Sequence, residues 1–372
     1  VGAGVLAEVD VAIVGSGIVG LAHAVEALRR GARVAVVDRD RGVVGASIRN
    51  FGHACSTAQA GVALDRARRA RVRWLEMAEV AGFWAAPAGT VVLARAADEM
   101  AVLEEFAAER ADEVELLDPA GVRALVPTSA ADLTGGARFP RDLRVNPREA
   151  VPALARWVAA QPAASLLTAT ACWGLDDAGI RTSRGLVRAE RVVVCVNHDI
   201  DHLFPELAAS HGVERCALQM LRVRPPAPLR IEPAVLSGSS LLRYRGFAAC
   251  PSLPALRARL AAEQPQLLDA DVNLMLTQLP DGDLLLGDTH VRAPDASPFT
   301  SAAWDELLLS GGERLLGCGP FRVVERWQGV YASGPDEFLV AAPHPSVRVV
   351  SVTTGIGMTV AFGLAEDVLD DW

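Results

Sequence analysis

VDVAIVGSGIVGLAHAVEALRRGARVAVVDRD, residues 9–40, decides the fold. Residues 9–14 are a short β-branched run that stops at a glycine, residues 18–30 carry apolar side chains at helical spacing up to Gly31, and residues 33–37 are a second β-branched run ending at Asp38. That order predicts a strand, a tight turn, a helix and a second strand, the opening unit of a parallel sheet. The turn reads Gly15-Ser16-Gly17-Ile18-Val19-Gly20. Between a strand and a helix this pattern has a mechanism: no Cβ blocks a pyrophosphate, and the helix start offers free N–H groups at a positive dipole end. Asp38 stands 18 residues past Gly20, where a carboxylate accepts hydrogen bonds from ribose hydroxyls and repels a 2′-phosphate. Glycine turns in an ordinary α/β fold are the bland alternative, which the combination disfavours.

The whole chain agrees with a folded α/β protein. It has 372 residues, 51% hydrophobic and 22% charged, enough apolar surface to offset chain entropy and enough length for two lobes. Its net charge of −9 and scattered arginines argue against a nucleic-acid partner. Asp10 and Glu26 interrupt the best membrane-span candidate, and the opening VGAGVLAEVD lacks a basic segment, so the expectation is a cytoplasmic protein without membrane contact. Six cysteines stand far apart with no CxxC pair, so no metal site can be written and reduced thiols are expected. There is no lysine anywhere. That excludes Schiff-base and P-loop chemistry.

Further along, residues 66–83 read as a helix with an arginine-rich solvent face, and TVVLA (90–94) as a strand followed by a helix. Asn146-Pro147 is an N-cap with proline at N1, and residues 166–196 form an antiparallel ribbon feeding a buried strand. VRVVSVTT (347–354) is a last buried strand, followed by Thr354-Gly355-Ile356-Gly357-Met358-Thr359 and a final helix. A nicotinamide enzyme has no use for this closing strand, turn and helix. A helix N-terminus against a flavin's pyrimidine edge, in contrast, would stabilise the negative charge that reduction develops there. The expected cofactor is FAD.

GSGIVG, Asp38, GASIRNFG (45–52), RVVVCV before Asn197 and TGIGMT resemble the FAD-dependent D-amino-acid oxidase superfamily with its glycine and sarcosine oxidases, over nearly the whole chain. SIRNFG, ELLDPAGVRAL (115–125), LQML (218–221), GDTH (287–290) and ERWQGVY (325–331) are similar to a subfamily associated with aminophosphonate breakdown. The resemblance implies an α/β fold: a Rossmann-type FAD-binding domain from residues 1–85, 146–205 and 331–372, and a second, antiparallel-sheet substrate domain from 86–145 and 206–330. It implies FAD contacts from Gly15, Gly17, Ile18, Val19, Gly20, Asp38, Arg39, Ser47, Arg49, Asn50, Ala171, Cys172, Asn197, Gly355, Gly357, Met358 and Thr359. The chain departs from the pattern in His53-Ala54-Cys55 and Asn197-His198. It also has Leu284-Leu285-Leu286 where sarcosine oxidases place the lysine that helps activate oxygen.

The implied activity is oxidation of the C–N bond of a small anionic amine by hydride transfer to flavin N5, giving an imine that hydrolyses, with O2 or another electron acceptor. The alternative is dehydrogenation of a 2-hydroxy acid with His290 or His53 as base. An NAD-linked dehydrogenase and a non-catalytic nucleotide-binding module both leave the closing GIGMT without a role. Expected catalytic residues are Arg243 as anion anchor, His290, Arg49, Tyr331 and Gln328. Arg243 and Tyr244 are read as neighbours on a strand, SLLRYRGF, facing opposite ways. His53 and Cys55 are candidates to lie over the flavin.

Overall fold

The computed structural model describes residues 4–372, so the first three residues of the opening VGAGVLAEVD lie outside the described residues. A 16-stranded sheet runs through the molecule. Five of its strands form a parallel block in the order Val347–Thr354, Gly185–Val194, Val5–Val14, Val34–Val37 and Ala164–Leu167. Strands of such a block are covered on both faces, and here Val34, Ala35, Val36 and Val37 all have 0% exposure. Alternate residues serve different cores. Val11, Ile13, Val34 and Val36 pack with Leu21, Trp74 and Phe362 on one face, and Val9, Ala12, Ala35 and Val37 pack with Val187 and Val349 on the other.

The 23-residue strand Arg322–His344 links this block to the antiparallel part of the sheet. Its first half, up to Ser333, pairs with Glu214–Arg224, and from Ser333 onward it pairs with Val347–Thr354. Beyond it lie Leu284–Gly287, Met275–Gln278, Ala234–Leu236 and Thr90–Ala94, over a separate core that includes Phe106, Phe139, Phe247 and Leu276. The switch at Ser333 is where the two halves meet.

The predicted N-cap holds: Asn146 Oδ1 accepts from Arg148 N at 3.2 Å at the start of helix Pro147–Ala159. The predicted helix over 66–83 spans Gly61–Ala81, but its arginines are not merely solvated. Arg66 and Arg69 pair with Asp367, and Arg69 and Arg73 with Glu366, on the closing helix Gly357–Asp370. SLLRYRGF is not a strand. Residues Gly238–Leu241 form a helical turn and Arg245–Phe247 a 3₁₀ turn. The serines favour this, because Ser237 and Ser240 hydroxyls donate to Leu274 O and Ser240 N donates to Ser237 O, bonds that compete with a strand ladder. No helix among the described residues is long and apolar enough to cross a membrane.

Candidate functional site

The Gly15–Gly20 turn lies at the end of Val5–Val14 and opens helix Ile18–Arg29. Gly15 has φ +104°, and a Cβ there would overlap Cys195 O. A Cβ on Gly20 would overlap Gly15 O, so this glycine closes the turn against the helix. The helix has no side-chain cap of its own at Gly17; Ile18 N instead donates to Ser47 Oγ at 2.8 Å, which brings the 45–50 loop over the turn. Asp38 Oδ2 accepts from Ser16 N and Ser16 Oγ, each at 2.6 Å, and Oδ1 accepts from Asp40 N at 2.9 Å. The carboxylate that ends the second strand thus also fixes the turn.

These groups line a cavity of about 460 Å³. Its wall continues through Arg39, whose guanidinium pairs with Asp199 at 2.8 Å, and through Ala171, Cys172 and Asn197. Asn197 adopts φ +57° and its Oδ1 accepts from Ala332 N at 2.8 Å, tying this wall to the long strand. Gly355, Gly357, Met358 and Thr359 line the same cavity, so the opening and closing glycine turns face one space, as the sequence predicted. Gly355 has φ +75°, and a Cβ there would stand 2.9 Å from Tyr331 Cζ: only glycine lets the bend lie on that ring.

Arg243, Tyr331 and His290 also stand in the cavity wall. Arg243 Nη2 donates to Thr354 O at 2.7 Å and to Tyr331 Oη at 3.2 Å. Burial opposes its charge, but Tyr331, Tyr244, Asp288 and Asp271 outweigh burial and its pKa is raised. His290 Nδ1 lies 2.8 Å from Asp271 O, a contact that requires Nδ1–H to donate and leaves Nε2 as an acceptor. Burial, then Arg243, lower its pKa to about 3, so the ring is neutral. Asp288 and Asn273 also line the cavity, and neither was singled out from sequence. The available signal was GDTH itself, with a carboxyl two residues before the histidine.

Arg49 lines the cavity and docks on the long strand, its Nη1 donating to Gln328 O at 3.1 Å and its own O accepting from Trp327 Nε1 at 3.2 Å. Asn50 lines it too, with its side chain committed to the loop: Nδ2 donates to Ala46 O and Ser47 O, and Oδ1 accepts from Gly52 N. Gln328 is a correction. Gly329, Val330 and Tyr331 line the cavity, while Gln328 Nε2 donates to Ser297 O at 2.9 Å beside a separate, smaller hollow.

His53 and Cys55 border the cavity and form, with Asp142, a buried group whose ligand-type atoms lie within 4.8 Å of one another. Asp142 is already saturated by Ser56 N, Ser56 Oγ, Thr57 N and Thr90 Oγ1. Burial first, then Asp142, raises the Cys55 thiol well above its ordinary pKa. Since Thr90 gives its proton to Asp142, His53 Nε2 must donate to Thr90 Oγ1, at 2.7 Å. Among the described residues the buried His53 Nδ1 and the Ser351 hydroxyl, both in cavity-lining residues, have no protein partner. A polar cofactor would satisfy such orphans.

Comparison with known proteins supplies the family. A family model described as FAD dependent oxidoreductase matches residues 10–370. The chain belongs to this family. FAD is its cofactor, and the glycine cradle, the two helix starts on one cavity and the orphaned polar atoms fit that group. This FAD-dependent oxidoreductase is 25% identical over 358 residues to the bifunctional protein ThiO/ThiG of Nostoc sp., covering 88% of the chain but 47% of that protein, so it spans about half the length of its curated relative. Its fold is that of glycine oxidase from Geobacillus kaustophilus (20% identity, TM-score 0.77, 98% of this chain and 94% of that one). L-proline dehydrogenase from P. horikoshii shares it as well (19% identity, TM-score 0.77, 98% and 93%).

Proposed function

We propose that this oxidoreductase oxidises the C–N bond of a small amine carrying an anionic group: an amino acid, an N-substituted glycine or an aminophosphonate. The product is an imine that water hydrolyses, and the electrons pass on to O2 or another acceptor. The observation that carries the reading is Arg243, a half-buried guanidinium in the cavity wall, whose side-chain hydrogen bonds among the described residues are made by Nη2. A planar cation held in this way pairs with a carboxylate or phosphonate and fixes the rest of a small molecule relative to the cofactor. Bound FAD supplies a two-electron acceptor for hydride.

The chain's part is binding and orientation. Gly15, Gly17, Ile18 and Val19 receive the pyrophosphate, with Gly20 closing the turn behind them. Asp38 and Arg39 lie toward the ribose, and Ser47, Arg49 and Asn50 close the loop over the cofactor. Ala171, Cys172 and Asn197 form the opposite wall, and Gly355, Gly357, Met358 and Thr359 support the flavin. In this reading residues 1–85, 146–205 and 331–372 form the FAD-binding domain, and 86–145 and 206–330 the substrate domain. Tyr331 braces Arg243, and His290 offers a neutral acceptor. Oxidation of a 2-hydroxy acid would ask His290 to take a hydroxyl proton, and a ring whose pKa is lowered to about 3 is a poor base for that. The six free thiols suit a reducing, cytoplasmic setting.

The test is an anaerobic screen of the FAD-loaded protein. Amino acids, N-methylglycine and aminophosphonates are expected to bleach the flavin absorbance and matched 2-hydroxy acids to leave it. Bleaching by the hydroxy acids alone would overturn the proposal. Repeating the screen in air while following peroxide identifies whether O2 is the acceptor.

A further inference from the structure

We infer that Asp288 is the group that receives the substrate's ammonium and takes one of its protons, so that the amine is neutral before oxidation. This rests on the amine reading above and adds the residue that tells an amine from other small anions.

Asp288 follows strand Leu284–Gly287 in the cavity wall, held by a reciprocal pair of backbone bonds with Asn273, each 2.9 Å. It is 5% exposed, and its Oδ1 is buried without a hydrogen-bond partner among the described residues. A buried, unpartnered carboxyl oxygen costs stability unless something completes it. The Asn273 side chain hydrogen-bonds the carboxyl and favours its charged form, yet Oδ1 stays without a partner among the described residues, and the titratable neighbours do not supply one. His290 Nε2, 3.7 Å from Oδ2, is the bare nitrogen of its ring and has no proton to give. Arg243 uses Nη2 on Thr354 O and Tyr331 Oη, while Tyr244 Oη donates to Met275 Sδ. Tyr331 and Cys216 on the sheet, and Asp271 beside Asn273, are the remaining titratable groups facing it.

The cavity therefore presents a cation and a lone carboxyl together, the complement of a molecule with an anionic and an ammonium group. An oxidisable amine must have its nitrogen lone pair free, and a small amino acid arrives as the ammonium. The step is a proton transfer: an N–H bond of the ammonium breaks, an O–H bond forms on Asp288, and no electrons are exchanged. Burial raises the Asp288 pKa to about 7 against the opposing pull of Arg243, which suits a group that must hold a proton and release it near neutrality.

The experiment counts protons on binding. Holoenzyme with its flavin reduced beforehand under anaerobic conditions cannot turn over, so glycine and acetate serve as matched probes with and without an ammonium. Binding is followed by calorimetry in buffers of different ionisation enthalpy. Near pH 6 the carboxyl is mostly protonated, and the glycine complex keeps one proton for ammonium and carboxyl together; glycine should release about one proton, falling toward none near pH 8. Acetate brings a negative charge and no proton, so it should release none near pH 6 and take protons up near pH 8. Asp288→Asn should abolish both pH dependences and weaken glycine at least tenfold more than acetate. Equal proton counts for the two probes in the unmodified protein would overturn the inference without any variant, as would a glycine proton release that survives Asp288→Asn. If amines bleach the oxidised holoenzyme while these counts fail, only the role of Asp288 falls; if no amine bleaches it, the amine reading falls and takes this inference with it.

Discussion

Arg243 reaches its place from a turn rather than a strand, and that difference decides which neighbours share the cavity. On a strand, Tyr244 would face away; from the turn after Gly238–Leu241 both side chains line the space, and Gly246 lets the turn lie against Ala58 O. Replacing Arg243 with Met keeps most of the volume and removes the charge-assisted bonds. Acetate binding should weaken by about 1.5–3 kcal/mol, roughly ten- to a hundredfold, as read from perturbation of the flavin spectrum. Retained affinity would move the anion anchor elsewhere. The closing bend offers a matched pair. Gly355→Ala forces φ +75° on an L-residue and places Cβ 2.9 Å from Tyr331 Cζ, whereas a Cβ on Gly357 would meet Ile18 Cγ2 at an ordinary 3.9 Å. The first should lower the melting temperature and release FAD on gel filtration, with backbone strain alone costing about 1–2 kcal/mol. The second should leave the melting temperature of the FAD-free protein unchanged.

Among elements, the closing helix Gly357–Asp370 is fixed from outside its own sequence. Trp74, on helix Gly61–Ala81, donates its indole N–H to Met358 O at 2.7 Å and packs edge-on against Phe83 and Phe362. A Cβ on Gly363 would overlap the backbone of Arg66, so the two helices touch main chain to main chain. Trp74→Ala should cost roughly 3–5 kcal/mol in urea unfolding. Trp74→Phe, which keeps a ring and loses the indole bond, should cost less and still loosen FAD. Equal stability of all three proteins would remove Trp74 as the brace. The strands and glycine turns of residues 9–40 and 347–359 were legible in sequence because β-branched runs, helical spacing and φ > 0 glycines are local signals. The arginine face at 66–73 was not, since its partners Glu366 and Asp367 lie some 300 residues away. SLLRYRGF misled for the same reason: its apolar composition suits a strand, but the hydroxyls of its Ser240 and of Ser237 before it reach Leu274 O, a partner no local pattern reveals.

Across the whole molecule, a cavity shared by two halves of one sheet must bury ionisable groups, and their burial makes stability depend on pH. His23 sits inside helix Ile18–Arg29 with its Nδ1 on Val19 O, and burial lowers its pKa to about 4; His290 lies at about 3. Both are neutral in the folded protein below pH 6.5, where the unfolded chain protonates them, so each contributes stability that is present above pH 6.5 and is lost as pH falls toward its folded value. Asp288 acts in the opposite sense. Its carboxyl keeps a proton up to about pH 7 when folded but loses it near 3.8 when unfolded, which costs stability as pH rises through that window. From about pH 4.5 to 6 the unfolded state binds two protons that the native state lacks, and the native state one that the unfolded state lacks. The difference is one, and these groups together should make stability fall by about 1.4 kcal/mol per pH unit on acidification. Asp288→Asn removes the opposing group and leaves two, so the same stretch should steepen by about 1.4 kcal/mol per unit relative to the unmodified protein. Urea unfolding of the two holoproteins at saturating FAD measures this directly. A slope left unchanged or flattened by the substitution would mean that Asp288 is ionised in the folded protein across this range.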